Sequence, residues 1–308
     1  MLAGLALSLL SAPMPVAAQT VPFGLEGPLQ RVLPGQNTMV VMRARVTIPP
    51  GTPISSPTGE LTGIGALLGN PLPGRFQADG ITPIPGFLNG TAIINGTIDN
   101  VTGELVATDV FVEPSENVTI GTITEAVCTN AACVGAGNRI RINGTMMRPL
   151  LDPRIAAGPV TNEFGFAVNL AGLTVDPAAG PSGIAAEAEG YFDGRVFRYF
   201  LMSVGAGAAP LVNAGTEVSI TRAQCRQRAG GIELGILGNT HPDNSGLVTI
   251  SDGGTTFGTV NAIASGVAGF GTYNFGLGGN LAFLTCPANV TANFGGATAT
   301  SPVDIIID

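Results

Sequence analysis

Between Gly90 and Glu113 the chain reads GTAIINGTIDNVTGELVATDVFVE, and no other stretch constrains the fold as strongly. Ile94, Gly96 and Ile98 alternate with Asn95, Thr97 and Asp99, the period of a strand with one buried face. Asn100-Val101-Thr102-Gly103 supplies turn residues, with Gly103 free to take a positive φ. Val106, Thr108, Val110 and Val112 then resume the period. The stretch is predicted as a β-hairpin. Its Ile94-Asn95-Gly96-Thr97 returns as Ile142-Asn143-Gly144-Thr145, which predicts further units of the same kind.

Composition agrees with a chain made of strands. Gly 45 and Pro 23 suit turns and short strands, and beyond the N-terminus no long run carries helical i, i+3, i+4, i+7 apolar spacing. Apolar residues at 45% of 308 provide for two or three cores, whereas charged residues are only 11%. The net charge of −8 argues against binding a phosphate backbone, which needs clustered cations, so no nucleic-acid partner is expected. All 13 basic residues are Arg, a bias that GC-rich coding explains.

Residues 1–18 read as a signal peptide. Leu2 to Leu10 is an apolar run of h-region length, and Val16-Ala17-Ala18 is a small-residue cleavage pattern that would start the mature chain near Gln19. No Lys or Arg precedes that run, which fits a translation start upstream of Met1. No later run is long enough to span a membrane. Four cysteines allow three pairings. Pairing within domains gives Cys128–Cys133 and Cys225–Cys286, disulfides suited to an exported chain. A metal site would need partnering histidines, and His241 stands alone, so neither metal nor cofactor is expected.

Taken in order, 19–36 reads as a Pro/Gly-punctuated extended leader. Thr38 to Ile48 reads as a strand with Arg43 and Arg45 on one face, and Pro49-Pro50-Gly51 ends it. A first barrel-like domain is predicted over 37–114 and a second over 115–204. The second includes period-two faces at Val118–Thr122, Arg139–Ile142, Phe164–Leu170, Ile184–Glu189 and Val196–Met202. Residues 205–215 read as a flexible small-residue linker. About seven short strands with regular turns follow over 216–308, the pattern of a two-sheet sandwich. The tail Pro302-Val-Asp-Ile-Ile-Ile-Asp308 has high β propensity, and either docks on its own sandwich or adds to a neighbour's sheet.

The order of strand, hairpin GELVATDVFVEP and then NVTIGTIT resembles the OB-like small barrels of bacterial exported proteins of unknown function. From ITRAQCRQRAGGIELGILGN to CPANVTANFGGATATSPV the chain resembles bacterial Ig-like domains, with Phe257, Tyr273 and Phe275 as core fillers where Trp is absent. The expected fold is therefore all-β, two tandem OB-like small barrels followed by an Ig-like β-sandwich. The resemblance implies a spacer, adhesin or binding module, and open OB-like barrels bind oligomeric ligands on one face.

Candidate chemistry is sparse. No G-x-S-x-G, H-E-x-x-H or P-loop occurs. His241 lies in the polar stretch Asn239–Gly246 and reads as an exposed turn residue; Glu187 and Glu189 read as a solvated strand face. Six N-x-[ST] sequons (Asn89, Asn95, Asn100, Asn117, Asn143, Asn289) follow from Thr-rich strands. The one aromatic-rich patch places Tyr191, Arg195, Arg198 and Tyr199 as an outward face for sugar or polymer contact. The reading is a non-catalytic exported binding or structural protein of the cell surface or extracellular space, partnered by an extracellular polymer or by further copies of itself. The alternatives are an OB-like barrel binding an oligomeric ligand such as a polysaccharide, or a hydrolase using Glu187 and Glu189 or His241.

Overall fold

The computed structural model describes residues 20–176, 178–180, 183–228, 231–242, 246–279 and 285–307. The proposed signal peptide lies outside the described residues. The chain is all-β, with two closed five-stranded barrels and two further sheets. Its described residues divide into two compact units: one holds residues 20–72 and Gln77–Pro114, the other Pro73–Phe76 and those from Ser115 onward.

The first unit contains β1 (Thr20–Leu33), β2 (Thr38–Val41), β3 (Ala44–Thr47), β4 (Ile54–Ser56), β5 (Gly59–Glu60), β6 (Thr91–Asp99) and β7 (Leu105–Glu113). β1, β2 and β3 form an antiparallel meander, β3 runs parallel to β7, and β7 and β6 return antiparallel to β1. The ring order is thus first, second, third, fifth, fourth. Leu29, Met39, Val41, Val46, Ile94 and Val112 fill the interior. β6 and β7 are the predicted hairpin.

Two expectations change here. The leader is a strand: Thr20–Leu33 opens the barrel, which therefore begins before residue 37. Pro22 and Pro28 hid it, but over Thr20–Pro28 β1 pairs only with β6, so its other edge loses no ladder bond to a proline. The single strand Thr38–Ile48 is a tight hairpin, reversed at Met42-Arg43 with φ 49° and 70°. That pair carries no turn signal, because such two-residue turns favour Asn-Gly.

The second unit repeats the ring with β8 (Asn117–Val127), β9 (Arg139–Ile142), β10 (Thr145–Pro149), β11 (Thr161–Asn162), β12 (Ala185–Phe192) and β13 (Phe197–Val204). β10 runs parallel to β13, and β12 closes on β8. Both barrels make a long excursion between third and fourth strands and lay a short strand, β4 or β11, parallel to the fifth. Both carry an extra residue in the fifth strand, Thr108 or Phe200, where it passes a glycine of the fourth. A Cβ on Gly96 would meet Val106 O at 2.2 Å, and one on Gly190 would meet Arg198 O at 1.9 Å. Only glycine lets the carbonyl of the fifth strand approach so closely. The repeated Ile-Asn-Gly-Thr phrase does not mark this correspondence: it lies inside β6 in one barrel and turns the β9–β10 hairpin in the other. The strand expected over Phe164–Leu170 is absent: Phe164 and Gly165 form a turn with Gly165 at φ 81°, Ala167 and Val168 make only isolated bridges, and Leu170 opens a short 3-10 helix.

The sandwich comprises β14 (Glu217–Arg228), β15 (Gly231–His241), β16 (Leu247–Asp252), β17 (Thr255–Asn261), β18 (Ile263–Ala264), β19 (Gly271–Gly279), β20 (Asn289–Phe294), β21 (Ala297–Pro302) and β22 (Asp304–Ile307). One sheet orders β18-β19-β15-β14-β22, the other β17-β16-β20-β21. Cys225, Leu234, Ile236, Tyr273, Ile250, Val290 and Phe294 pack in the core that both sheets enclose. Cys225–Cys286 and Cys128–Cys133 are both bonded. The tail docks on its own sandwich, β22 lying parallel to β14.

Residues 205–215 do not hang free. Val212 N donates to Ala167 O at 2.9 Å, Asn169 N donates to Pro210 O at 2.7 Å, and Leu211 packs against the second barrel's core. Phe164 stacks on Phe270 of the sandwich at 4.7 Å, and its carbonyl accepts from Ser219 Oγ (2.6 Å) and Asn239 Nδ2 (3.1 Å). Small residues make the contact possible: a Cβ on Gly172 would fall 2.6 Å from Pro210 Cδ.

Candidate functional site

The aromatic patch does not present the expected outward face. Tyr191 and Tyr199 are each only 4% exposed: Tyr199 turns into the barrel core, whereas Tyr191 stands opposite Arg198 on the other face. Tyr191 Oη donates to Pro73 O at 2.9 Å, and burial raises its phenol above the ordinary range. Burial likewise pushes Tyr199 up to about 12. Arg198 Nε meets Asp193 Oδ2 at 2.7 Å, and Asp193 also accepts from the backbone N–H groups of Arg195 and Val196. Of the four residues, Arg195 alone is exposed. The group is a packed barrel end in which Asp193 holds Arg198 and only Arg195 faces solvent.

A different surface emerges on the first barrel. Arg31 on β1, Val40 on β2 and Arg45 on β3 are successive cross-strand partners. Their inward neighbours Val32, Met39 and Val46 are buried, so the two arginines project outward. With strands about 4.8 Å apart, the Arg31 and Arg45 backbones stand about 10 Å apart. Arg43 extends the row at the hairpin tip. Its N–H donates to Gln30 Oε1 at 2.6 Å, leaving the guanidinium outside that bond, and Arg45 Nη2 donates to Gln36 Oε1 at 3.1 Å. Among the described residues no carboxylate pairs with Arg31, Arg43 or Arg45. By sequence pattern Arg43 and Arg45 share one face of a single strand; Arg45 does lie on the outer face of β3, whereas Arg43 belongs to the turn before it. The sequence could not show Arg31 joining them, because Thr20–Leu33 carried no strand signal.

The second barrel treats the equivalent face differently. Glu125 on β8 accepts from Arg139 through one oxygen and from Arg141 Nε through the other at 2.9 Å. The bond from Arg139 foremost, with that from Arg141, holds the Glu125 carboxyl below its ordinary value. Arg148 Nη1 donates to Asn138 O at 2.8 Å. At the hairpin tip Asn143-Gly144 (φ 48° and 80°) stands where the first barrel has Met42-Arg43.

The remaining candidates do not converge. Glu187 lies exposed on the outer face of β12 and accepts from Ser203 Oγ at 3.1 Å. His241 is not a turn residue without partners: it ends β15, its Nδ1 lies 2.8 Å from Gly215 O, and its ring centroid is 5.5 Å from that of Phe270. Asp243, beside it in sequence, lies outside the described residues. Among the described residues no group of three or more His, Cys, Asp or Glu side chains is placed to hold a metal, and no helix is long and apolar enough to cross a membrane. No protein-family description, no curated protein and no solved structure matches this chain.

Proposed function

We propose that the protein is an exported, non-catalytic binding component of the cell surface or extracellular space. In this reading the first barrel presents the ligand face, and the second barrel with its sandwich acts as a stem. The observation that carries it is the difference between two rings of identical order: one exposes arginines without carboxylate partners, the other neutralises its own. The first–second–third–fifth–fourth order is that of OB-like barrels, which take oligomeric ligands on the outer face of their second and third strands. The sandwich order β14-β15-β19-β18 against β21-β20-β16-β17 matches the A-B-E-D and G-F-C-C′ sheets of Ig-like domains, and supports a spacer role. Two disulfides favour an oxidising compartment. Fractionation of expressing cells, with thiol labelling, tests the compartment, and co-sedimentation with extracellular polymers tests the role. Cytoplasmic protein with four labelled thiols would sink the first part, and sedimentation with none of a broad polymer panel the second.

A further inference from the structure

We propose that the outer face of β1, β2 and β3 binds an acidic polysaccharide, a polymer whose carboxylates or sulfates recur along an extended chain. This rests on the reading of the protein as an exported binding component, and names the ligand class for that face. The first unit holds seven carboxylates and three arginines, so a positive surface within it requires that opposite charges be kept apart. Asp79 and Asp99 cap their own turns and Asp109 accepts from Asn95 Nδ2 on the β6–β7 ladder; Glu104 accepts from the Thr47 hydroxyl at 2.5 Å beyond Arg45, and Glu26 is exposed further along β1, so the positive surface is confined to the Arg31–Val40–Arg45 row and the hairpin tip. Guanidinium is the side chain suited to carboxylate and sulfate, because its planar fork donates two parallel hydrogen bonds. Arg31 and Arg45 offer such forks on either side of Val40, whose apolar surface can lie beneath a sugar ring.

The hairpin tip points the same way. Met42 and Arg43 both hold left-handed backbone, which side chains with a Cβ adopt only at a cost. The second barrel solves the same turn with Asn143-Gly144, so the fold itself does not require Met-Arg. What Met-Arg adds is an exposed cation and an apolar side chain at the end of the arginine row; Met42 is 56% exposed and rests over Gly27, where a Cβ would fall 2.4 Å from its Cγ. A polysaccharide fits better than nucleic acid. Single strands are held by stacking bases on aromatic rings, and Gln30, Arg31, Val40, Met42, Arg43 and Arg45 include none.

The test is retention of the full chain on immobilised heparin, alginate, dextran and single-stranded DNA. Retention on heparin or alginate that falls as salt rises, with dextran passing through, is expected. The double substitution Arg31→Gln/Arg45→Gln should weaken retention about tenfold or more, since each charge-assisted bond contributes appreciably. Arg139→Gln/Arg141→Gln, on the face that Glu125 neutralises, should leave it unchanged. Unaltered retention of the Arg31/Arg45 variant, or stronger retention on DNA than on either acidic polysaccharide, would overturn the assignment. Equal retention on dextran that survives the substitutions would remove the acidic class but leave a binding role standing. Passage through all four matrices would remove both.

Discussion

The two barrels share a ring order, a long excursion between third and fourth strands, a bulge in the fifth strand opposite a glycine of the fourth, and a two-residue hairpin between second and third. They differ where these shared features meet solvent. The first holds Met42-Arg43 at its hairpin tip and, among the described residues, leaves Arg31 and Arg45 without carboxylate partners; the second holds Asn143-Gly144 and clamps Glu125 between Arg139 and Arg141. The second also packs against a sandwich through Phe164 and Phe270, and its unit carries both disulfides. Backbone closure and interior packing are satisfied alike in both, so the outer residues of three strands are free to differ. Function on such a fold is set by those outer residues, not by the ring.

The largest effect that would test the contrast is reduction. In the chain-entropy account, a bridge of sequence separation 61 stabilises by about 4 kcal/mol and one of separation 5 by about 2. Both losses fall on one unit. Reductant should speed amide hydrogen exchange across residues 115–307 while exchange in residues 20–72 and 77–114 holds steady. Equal acceleration in both units would mean that they do not unfold separately.

The next effect probes what the barrels have in common. Gly96→Val and Gly190→Val each push a Cβ into a carbonyl of the fifth strand, at 2.2 Å and 1.9 Å respectively. Each should cost its own barrel about 1–3 kcal/mol or more, as forced overpacking does. Chemical denaturation of the two variants checks this. If Gly96→Val is tolerated and Gly190→Val is not, the two closures are not equivalent.

How much of this was legible in the chain follows from the same devices. The β6–β7 hairpin could be read because Gly103 and the Val run signal turn and strand together. β1 could not, since Pro22, Gly24, Gly27 and Pro28 lower strand propensity, and only a one-sided pairing makes them harmless. The Met42-Arg43 turn was invisible for the reason that makes it informative: the residues do not suit the backbone they adopt. The Tyr191–Tyr199 patch was misread for two reasons: the extra residue Phe200 on β13 resets which way Tyr199 faces, and Tyr191, on the opposite face, is bonded to the carbonyl of Pro73, far away in sequence. Beyond residue 216 the seven short strands expected fall within seven of the nine observed, but β14 and β15 run well past the expected ends and β18 was not read. The packed joint at 205–215 was not read either, since Gly and Ala suit close packing as well as flexibility.

A smaller effect separates stability from binding in the first barrel. Replacing Met42-Arg43 by Asn-Gly, the pair used in the second barrel, relieves two left-handed residues at a cost commonly about 1–2 kcal/mol each. Loss of the Met42 contact over Gly27 offsets part of that, so a net gain of about 1 kcal/mol is expected. The midpoint of denaturation should rise while retention on heparin falls. A variant both more stable and equally well retained would mean that the tip takes no part in recognition.

The smallest effect belongs to the joint, a feature of the second unit. Glu217 pairs across the strands with His241, and its Oε2 is buried without a hydrogen-bond partner. Burial raises its carboxyl above the ordinary value, against the opposing influence of a bond from Asn213 and the nearby His241. The sign follows from linkage. The folded protein takes up this proton before the unfolded chain does, so stability rises as pH falls through the folded pKa and levels off below the unfolded value near about 4.3. At neutral pH the ionised form carries a penalty that Glu217→Gln removes. Because the group is only partly shielded from water, the gain should be under about 1 kcal/mol. It should shrink as the pH is lowered, since the parent's carboxyl then becomes neutral too. Melting curves of parent and variant across the acidic range measure this. A variant less stable than its parent at neutral pH would show that the Glu217 carboxylate holds the joint together by a contact stronger than its burial penalty.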